Sequence, residues 1–157
     1  MSDTTCAIAA DTKLETPEGP LTMKGLANKP APVFTLEADK VRFRMLKEPR
    51  LLAEAQPVLR LTLSNGGSAR VAPQQVFYRK GMSECRAADL QPGDSLVPLF
   101  SYREGYEYRD DKTQSAAISD AAIQVTSVEA AGTADVYTFD VNVSGCFFLS
   151  AGVLCKA

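Results

Sequence analysis

Four cysteines, Cys6, Cys85, Cys146 and Cys155, are the strongest potential nucleophiles in this chain, and no histidine accompanies them. A thiol attacks as its thiolate, so it needs a base or a lowered pKa to work near neutrality. Without an imidazole the chain lacks the usual proton shuttle and the commonest zinc ligand. Ser-His-Asp and Cys-His catalysis are therefore excluded within it. No two cysteines are spaced C-x-x-C, which argues against a zinc ribbon or a thioredoxin-type redox site. Cys146-Phe147-Phe148 and Val153-Leu154-Cys155 are apolar stretches, where a reduced thiol commonly behaves as a small hydrophobe. The expectation is four free thiols in a reducing compartment. Walker A, G-x-G-x-x-G and EF-hand patterns are missing, so no metal, nucleotide or other cofactor is expected.

The rest of the composition narrows the partners. With 17 Lys+Arg against 19 Asp+Glu the formal net charge is −2, which gives no electrostatic reason to expect nucleic acid or an anionic membrane. The first residues, MSDTTCAIAADT, lack the basic and long apolar regions of a signal peptide. No run approaches 18 apolar residues, so a spanning helix is not expected. These features point to a cytoplasmic monomer, and 157 residues suit one domain with an adequate core.

The elements that must position the thiols are mostly strands. Residues 57–63 (PVLRLTL) alternate, with Val58 an extra apolar residue beside Leu59, Leu61 and Leu63. Ser64-Asn65-Gly66-Gly67 turns the chain so that 68–71 can return as a second strand. Residues 33–36 and 41–45 flank a polar stretch and predict another hairpin. Short strands are expected at 75–79 and 95–100, with Pro98 marking an edge or bend, then at 123–128, 136–143, 146–149 and 152–155. Helix is sparse: about two turns at 84–90 (ECRAADL), closed by Gln91-Pro92-Gly93-Asp94, a short piece at 51–56 (LLAEAQ), and one turn at 22–27. The pattern predicts an all-β or mainly β domain. Residues 102–115 form a charged run carrying Tyr102, Tyr106 and Tyr108, expected as an exposed loop and a possible binding loop.

Taken in order, these fragments resemble the Hint fold of inteins, hedgehog autoprocessing domains and bacterial intein-like domains. Cys6 is followed by Asp11-Thr12, by Leu14-Glu15-Thr16-Pro17-Glu18-Gly19-Pro20 and by Met23-Lys24-Gly25-Leu26, in the manner of an intein's first block. The central pattern of strand, turn, T-x-x-H and Gly-Asp is matched by Leu59-Arg60-Leu61-Thr62-Leu63, Asn65-Gly66, Ala72-Pro73-Gln74-Gln75 and Ala87 through Gly93-Asp94. The closing pattern is matched by Val136-Tyr137-Thr138-Phe139-Asp140-Val141, Phe147-Phe148 and Gly152-Val153-Leu154-Cys155-Lys156-Ala157. The resemblance implies a horseshoe of short, bent antiparallel strands with one or two short helices. It spans residues 6–157 behind a short flank at 1–5, with no endonuclease insertion.

The resemblance also implies a reaction. The first cysteine attacks the carbonyl before it and converts the peptide bond to a thioester, while the T-x-x-H histidine protonates the departing nitrogen; a later histidine and a terminal Asn complete splicing. The substrate is then the chain's own flanking polypeptide. Position by position, Cys6 stands as the nucleophile after Thr5, and Ala72 and Gln75 fall where the Thr and His belong. Cys146 matches the later histidine, Lys156 the penultimate histidine and Ala157 the terminal Asn. Thr138 occupies a strand position that is often acidic, and Asp140, two residues on, is expected on the same face as polar support. Gln75 donates hydrogen bonds without transferring protons, and Ala157 has no amide to cyclise. The expectation is a splicing-deficient autoprocessing domain retaining at most a Cys6-dependent N-to-S acyl shift or N-terminal cleavage. The alternative is a non-catalytic binding or structural module on the same or another β fold, with Cys6 an inert packed thiol.

Overall fold

The computed structural model describes residues 6–37, 40–98, 123–141 and 144–157, and the backbone of 107–109 and 116–118. The first half contains β1 (Ile8–Ala9), β2 (Lys13–Thr16), β3 (Gly19–Thr22), α1 (Met23–Asn28), β4 (Pro32–Glu37) and β5 (Lys40–Leu63). It continues through β6 (Ser68–Val71), β7 (Val76–Arg79) and β8 (Ser83–Arg86), a 3-10 turn at Ala87–Asp89, and β9 (Ser95–Leu96). The second half contains β10 (Glu107–Arg109), β11 (Ala116–Ile118), β12 (Ile123–Val141), β13 (Cys146–Phe148) and β14 (Leu154–Lys156). The molecule is mainly β, as its alternating pattern requires, and every strand pairing is antiparallel.

Two long strands organise the sheet. β12 pairs with β5 from Val125↔Leu63 to Val141↔Leu46, with register shifts at five places. Each shift bends the ladder and re-aims the side chains beyond it, so one pair of strands serves several parts of the core. β6 returns along β5 through Leu59↔Val71 and Leu61↔Ala69. Its turn holds Gly66 at φ +85°, a left-handed conformation natural to glycine. Asn65 fixes this turn by accepting from Gly67 N–H at 2.8 Å and donating to Ala151 O at 2.7 Å. β1 lies between β6 and β12 through Ile8↔Val71 and Ile8↔Tyr137, which delivers Cys6 to the centre of the sheet.

The core is continuous across these strands. Leu14, Leu61, Phe77, Leu96, Phe139, Phe147 and Leu149 are buried within it, and the Phe139 and Phe147 rings meet edge to face at 4.7 Å. At one end β13 lies against β4, joined there by side chains. Thr35 Oγ1 is 2.6 Å from Ser144 Oγ and 3.1 Å from Cys146 Sγ, and the Cys146 thiol donates to Leu36 O at 3.4 Å. Cys146→Ala removes these sulfur contacts and leaves a small cavity; a loss of about 1–2 kcal/mol is expected in urea unfolding.

Both hairpins expected at 33–45 and 57–71 form, and the single turn expected at 22–27 is α1, capped by Thr22 Oγ1 accepting from Gly25 N–H at 3.1 Å. The helix expected at 51–56 does not form. Those six residues belong to β5, with Leu51↔Tyr137 and Ala53↔Val136, because so short a stretch cannot sustain a helix against cross-strand pairing. At 84–90 the helix is also replaced. β8 pairs with β7 through Phe77↔Cys85, so Cys85 is a strand residue, and only the 3-10 turn of Ala87–Asp89 follows. The strand expected at 123–128 and residues 136–141 of the one expected at 136–143 belong to one element, β12, while 142–143 lie outside the described residues. Most of the loop expected at 102–115 lies outside the described residues, Tyr102 and Tyr106 included, while the backbone of 107–109 pairs with 116–118.

Candidate functional site

The polar centre of the fold is built on Gln75. Its backbone is fixed by a turn, Gln75 N–H to Ala72 O at 3.0 Å, and by Ala87 N–H to Gln75 O at 2.8 Å. The side chain is fully buried, so each of its polar atoms needs a partner. Oε1 accepts from Ala7 N–H at 2.7 Å, while Nε2 donates to Val76 O at 2.9 Å and to Lys156 O at 3.1 Å. One amide therefore joins the residue after Cys6 to the penultimate residue of the sequence. Ala7 is held from its other side too, its carbonyl accepting from Ala72 N–H at 3.0 Å.

Cys6 is buried beside this clasp, and its thiol is pushed up from 9.0 to about 12. Burial is the dominant cause, because a thiolate loses its hydration there. The Phe139 backbone and the Thr138 hydroxyl act in the opposite direction by hydrogen bonding. The Asp140 charge raises the pKa further, and the Arg50 charge lowers it slightly. Thr138 and Arg50 are cross-strand partners on β12 and β5. Arg50, which no sequence pattern singled out, thus shares a row with the side chain nearest the thiol in chemical effect.

Asp140 differs from its neighbours on β12 in exposure. Thr138 and Phe139 are buried, whereas Asp140 is exposed at a register shift between β12 and β5. The extra residue of that shift lies on β5, between Lys47 and Arg50; Thr138 supports the thiol by hydrogen bonding, and Asp140 acts on it through its charge. Lys156 does not turn its amine to the thiol. Its Nζ pairs with Glu84 Oε1 at 2.9 Å, which leaves the Lys156 carbonyl as its contribution to the centre. Ala157 N–H donates to Gly145 O at 2.9 Å. Cys146 lies at the β4–β13 junction on Thr35, a buried residue that sequence reasoning passed over.

Cys155 is wholly buried, and its thiol is raised well above 9.0 by burial first and then by the charges of Cys6 and Cys146. All four cysteines are free. Thr5 lies outside the described residues. Among the described residues no group of three or more Cys, Asp or Glu side chains is arranged to hold a metal ion, and no helix is long and apolar enough to cross a membrane.

The architecture is a Hint, or intein-like, fold. An Ssp DnaB mini-intein variant superposes with a TM-score of 0.78 at 12% identity, over 100% of this chain and 96% of that one. The DnaB intein from Synechocystis sp. PCC 6803 gives 0.71 at 13% identity, over 96% and 97%. A bacterial intein-like domain from Clostridium thermocellum gives 0.71 at 19% identity, over 98% and 100%. No protein-family model and no curated protein matches the chain by sequence.

Proposed function

We propose that this chain is an intein-like self-processing domain reduced to its first step, an acyl shift onto Cys6, and that it does not splice. The observation carrying this reading is the Gln75 clasp, which brings Ala7 and Lys156 onto one side chain next to a thiol. In the shift, Cys6 Sγ bonds to the carbonyl carbon of residue 5 and the C–N bond to Cys6 breaks. The thiol proton is transferred to the departing nitrogen, so amide and thiol become thioester and amine with no other reactant. The bond attacked is stabilised by resonance, and without histidine the proton transfer has no general acid–base catalyst. Slow turnover follows. Lys156 and Ala157 stand at the positions where the family uses His and Asn, and neither side chain can cyclise as Asn does. The substrate is the polypeptide joined to Cys6.

The test is a reporter domain fused ahead of Thr5 and incubated with dithiothreitol or hydroxylamine. Mass spectrometry is expected to find a slow cut before Cys6 that Cys6→Ala abolishes. No cut in the parent, or equal cutting in Cys6→Ala, overturns the acyl-shift reading. A non-catalytic module on the same fold is the second reading, favoured by the burial that keeps Cys6 protonated.

A further inference from the structure

The β4–β5 hairpin carries an apolar face of which the core uses only the β4 half. Register places Pro32 with Met45, Phe34 with Phe43 and Leu36 with Val41, so these six residues share one face. Phe34 and Leu36 pack partly against buried Cys146, Phe148 and Leu154. Their partners are open to solvent: Phe43 is 59% exposed, Met45 44% and Val41 37%. On the opposite face of the same strand, Lys40, Arg42 and Arg44 alternate with them.

Among the described residues the backbone here has a partner on one side only. Residues 40–45 of β5 pair only with β4 among the described residues, and the pairing with β12 starts at Leu46. The edge of this segment away from β4 therefore meets no other described strand. Arg44 grips Glu37 through Nε at 2.6 Å and Nη2 at 2.8 Å, which braces the hairpin. That uses the one carboxylate of these two paired segments and leaves Lys40 and Arg42 exposed, with a surplus of positive charge along the edge.

Cations on an edge strand guard against self-pairing, and that role accounts for Lys40 and Arg42 alone. It does not account for three large apolar side chains exposed on the reverse face, where guarding calls for polar residues. We infer that the edge of β5 at Lys40–Met45, unpaired among the described residues, is a docking site for an extended peptide segment whose acidic and apolar residues alternate, added to the sheet as a further strand. Main-chain hydrogen bonds supply attraction in such strand addition and alternate side chains supply selectivity. Acidic residues of the partner meet Lys40 and Arg42, while its apolar residues cover Val41, Phe43 and Met45. This site does not depend on Cys6 chemistry.

The probe is a fluorescein-labelled heptapeptide, Glu-Val-Glu-Phe-Glu-Val-Glu, titrated with the full chain by anisotropy at low ionic strength. Saturable binding is expected, weakened roughly tenfold or more by Arg42→Glu and by Phe43→Thr. A charge-inverted peptide with Lys for Glu is expected to bind at least as poorly. N-methylation of alternate peptide nitrogens along the hydrogen-bonding edge is expected to abolish binding by removing the ladder. No saturable binding, or equal binding of the charge-inverted or N-methylated peptide, overturns the proposal. Sedimentation of the parent as a dimer that Phe43→Thr dissociates gives the edge to a second copy and also overturns it.

Discussion

Gln75→His is expected to accelerate thiol-induced cleavage before Cys6 by about 100-fold or more, the usual range for an added general acid–base catalyst. The substitution fits the geometry. A glutamine amide offers an acceptor and two donor hydrogens, and a neutral imidazole offers one acceptor and one donor. In the present structure Oε1 takes the Ala7 N–H and Nε2 gives to both Val76 O and Lys156 O; an imidazole can keep the first bond and one of the other two. It adds the capacity to hold a proton near neutrality and to deliver it to a departing amine. The rate is read by mass spectrometry in a reporter fusion, with Cys6→Ala in the same background as the blank. Melting within a few degrees of the parent shows that the clasp is kept. An unchanged rate in a folded Gln75→His protein removes Gln75 from the reacting centre and leaves it a purely structural tie.

The second large effect is on stability in alkali. The folded Cys6 thiol has its pKa raised from 9.0 to about 12, so the unfolded chain loses this proton first. Unfolding then releases a proton at pH values between the two. The stabilisation is complete below about pH 9 and falls by about 1.4 kcal/mol per pH unit above it. By about pH 10.5 the loss assigned to Cys6 is about 2 kcal/mol. Urea midpoints of the parent and Cys6→Ala, compared at about pH 8 and about pH 10.5, isolate it from other titrating groups. Cys6→Ala is expected to lose roughly 2 kcal/mol less over this interval, although its cavity makes it weaker at the lower pH. Removing Cys155 as well flattens the profile further, since burial raises that thiol in the same direction. Equal pH dependence in parent and Cys6→Ala contradicts the assignment.

Much of the fold was legible because its signals are local. Alternation at 57–63 and the Asn65-Gly66-Gly67 turn mark the β5–β6 hairpin, where both partners are close in sequence. The helix expected at 51–56 failed for the opposite reason, whereas the one at 84–90 gave way to a nearby partner, β7. Leu51 and Ala53 owe their strand conformation to Tyr137 and Val136, more than 80 positions away, and no local pattern reports such a partner. Alternation did not report that Asp140 is exposed while Thr138, two residues away, is buried. In the site, Gln75 was legible through the resemblance alone. Its partners were not, since main-chain atoms of Ala7 and Lys156 carry no residue-type signal. Arg50 escaped notice because its relation to Cys6 runs through Thr138 on another strand.

The clasp also sets an order of events in time. Gln75 cannot satisfy both ends of its buried amide until Ala7 and Lys156 have arrived, and these bonds span 68 and 81 positions of sequence. β7 must likewise wait for β14, and β1 for β12. During synthesis the centre stays unfinished until β14 has left the ribosome, with the edge it covers open meanwhile. Sheets closed by such distant pairings nucleate slowly, because loop closure precedes the contacts that reward it. The domain's nascent life is therefore long compared with that of a helical bundle of the same size, and the arrival of β14 decides when it ends.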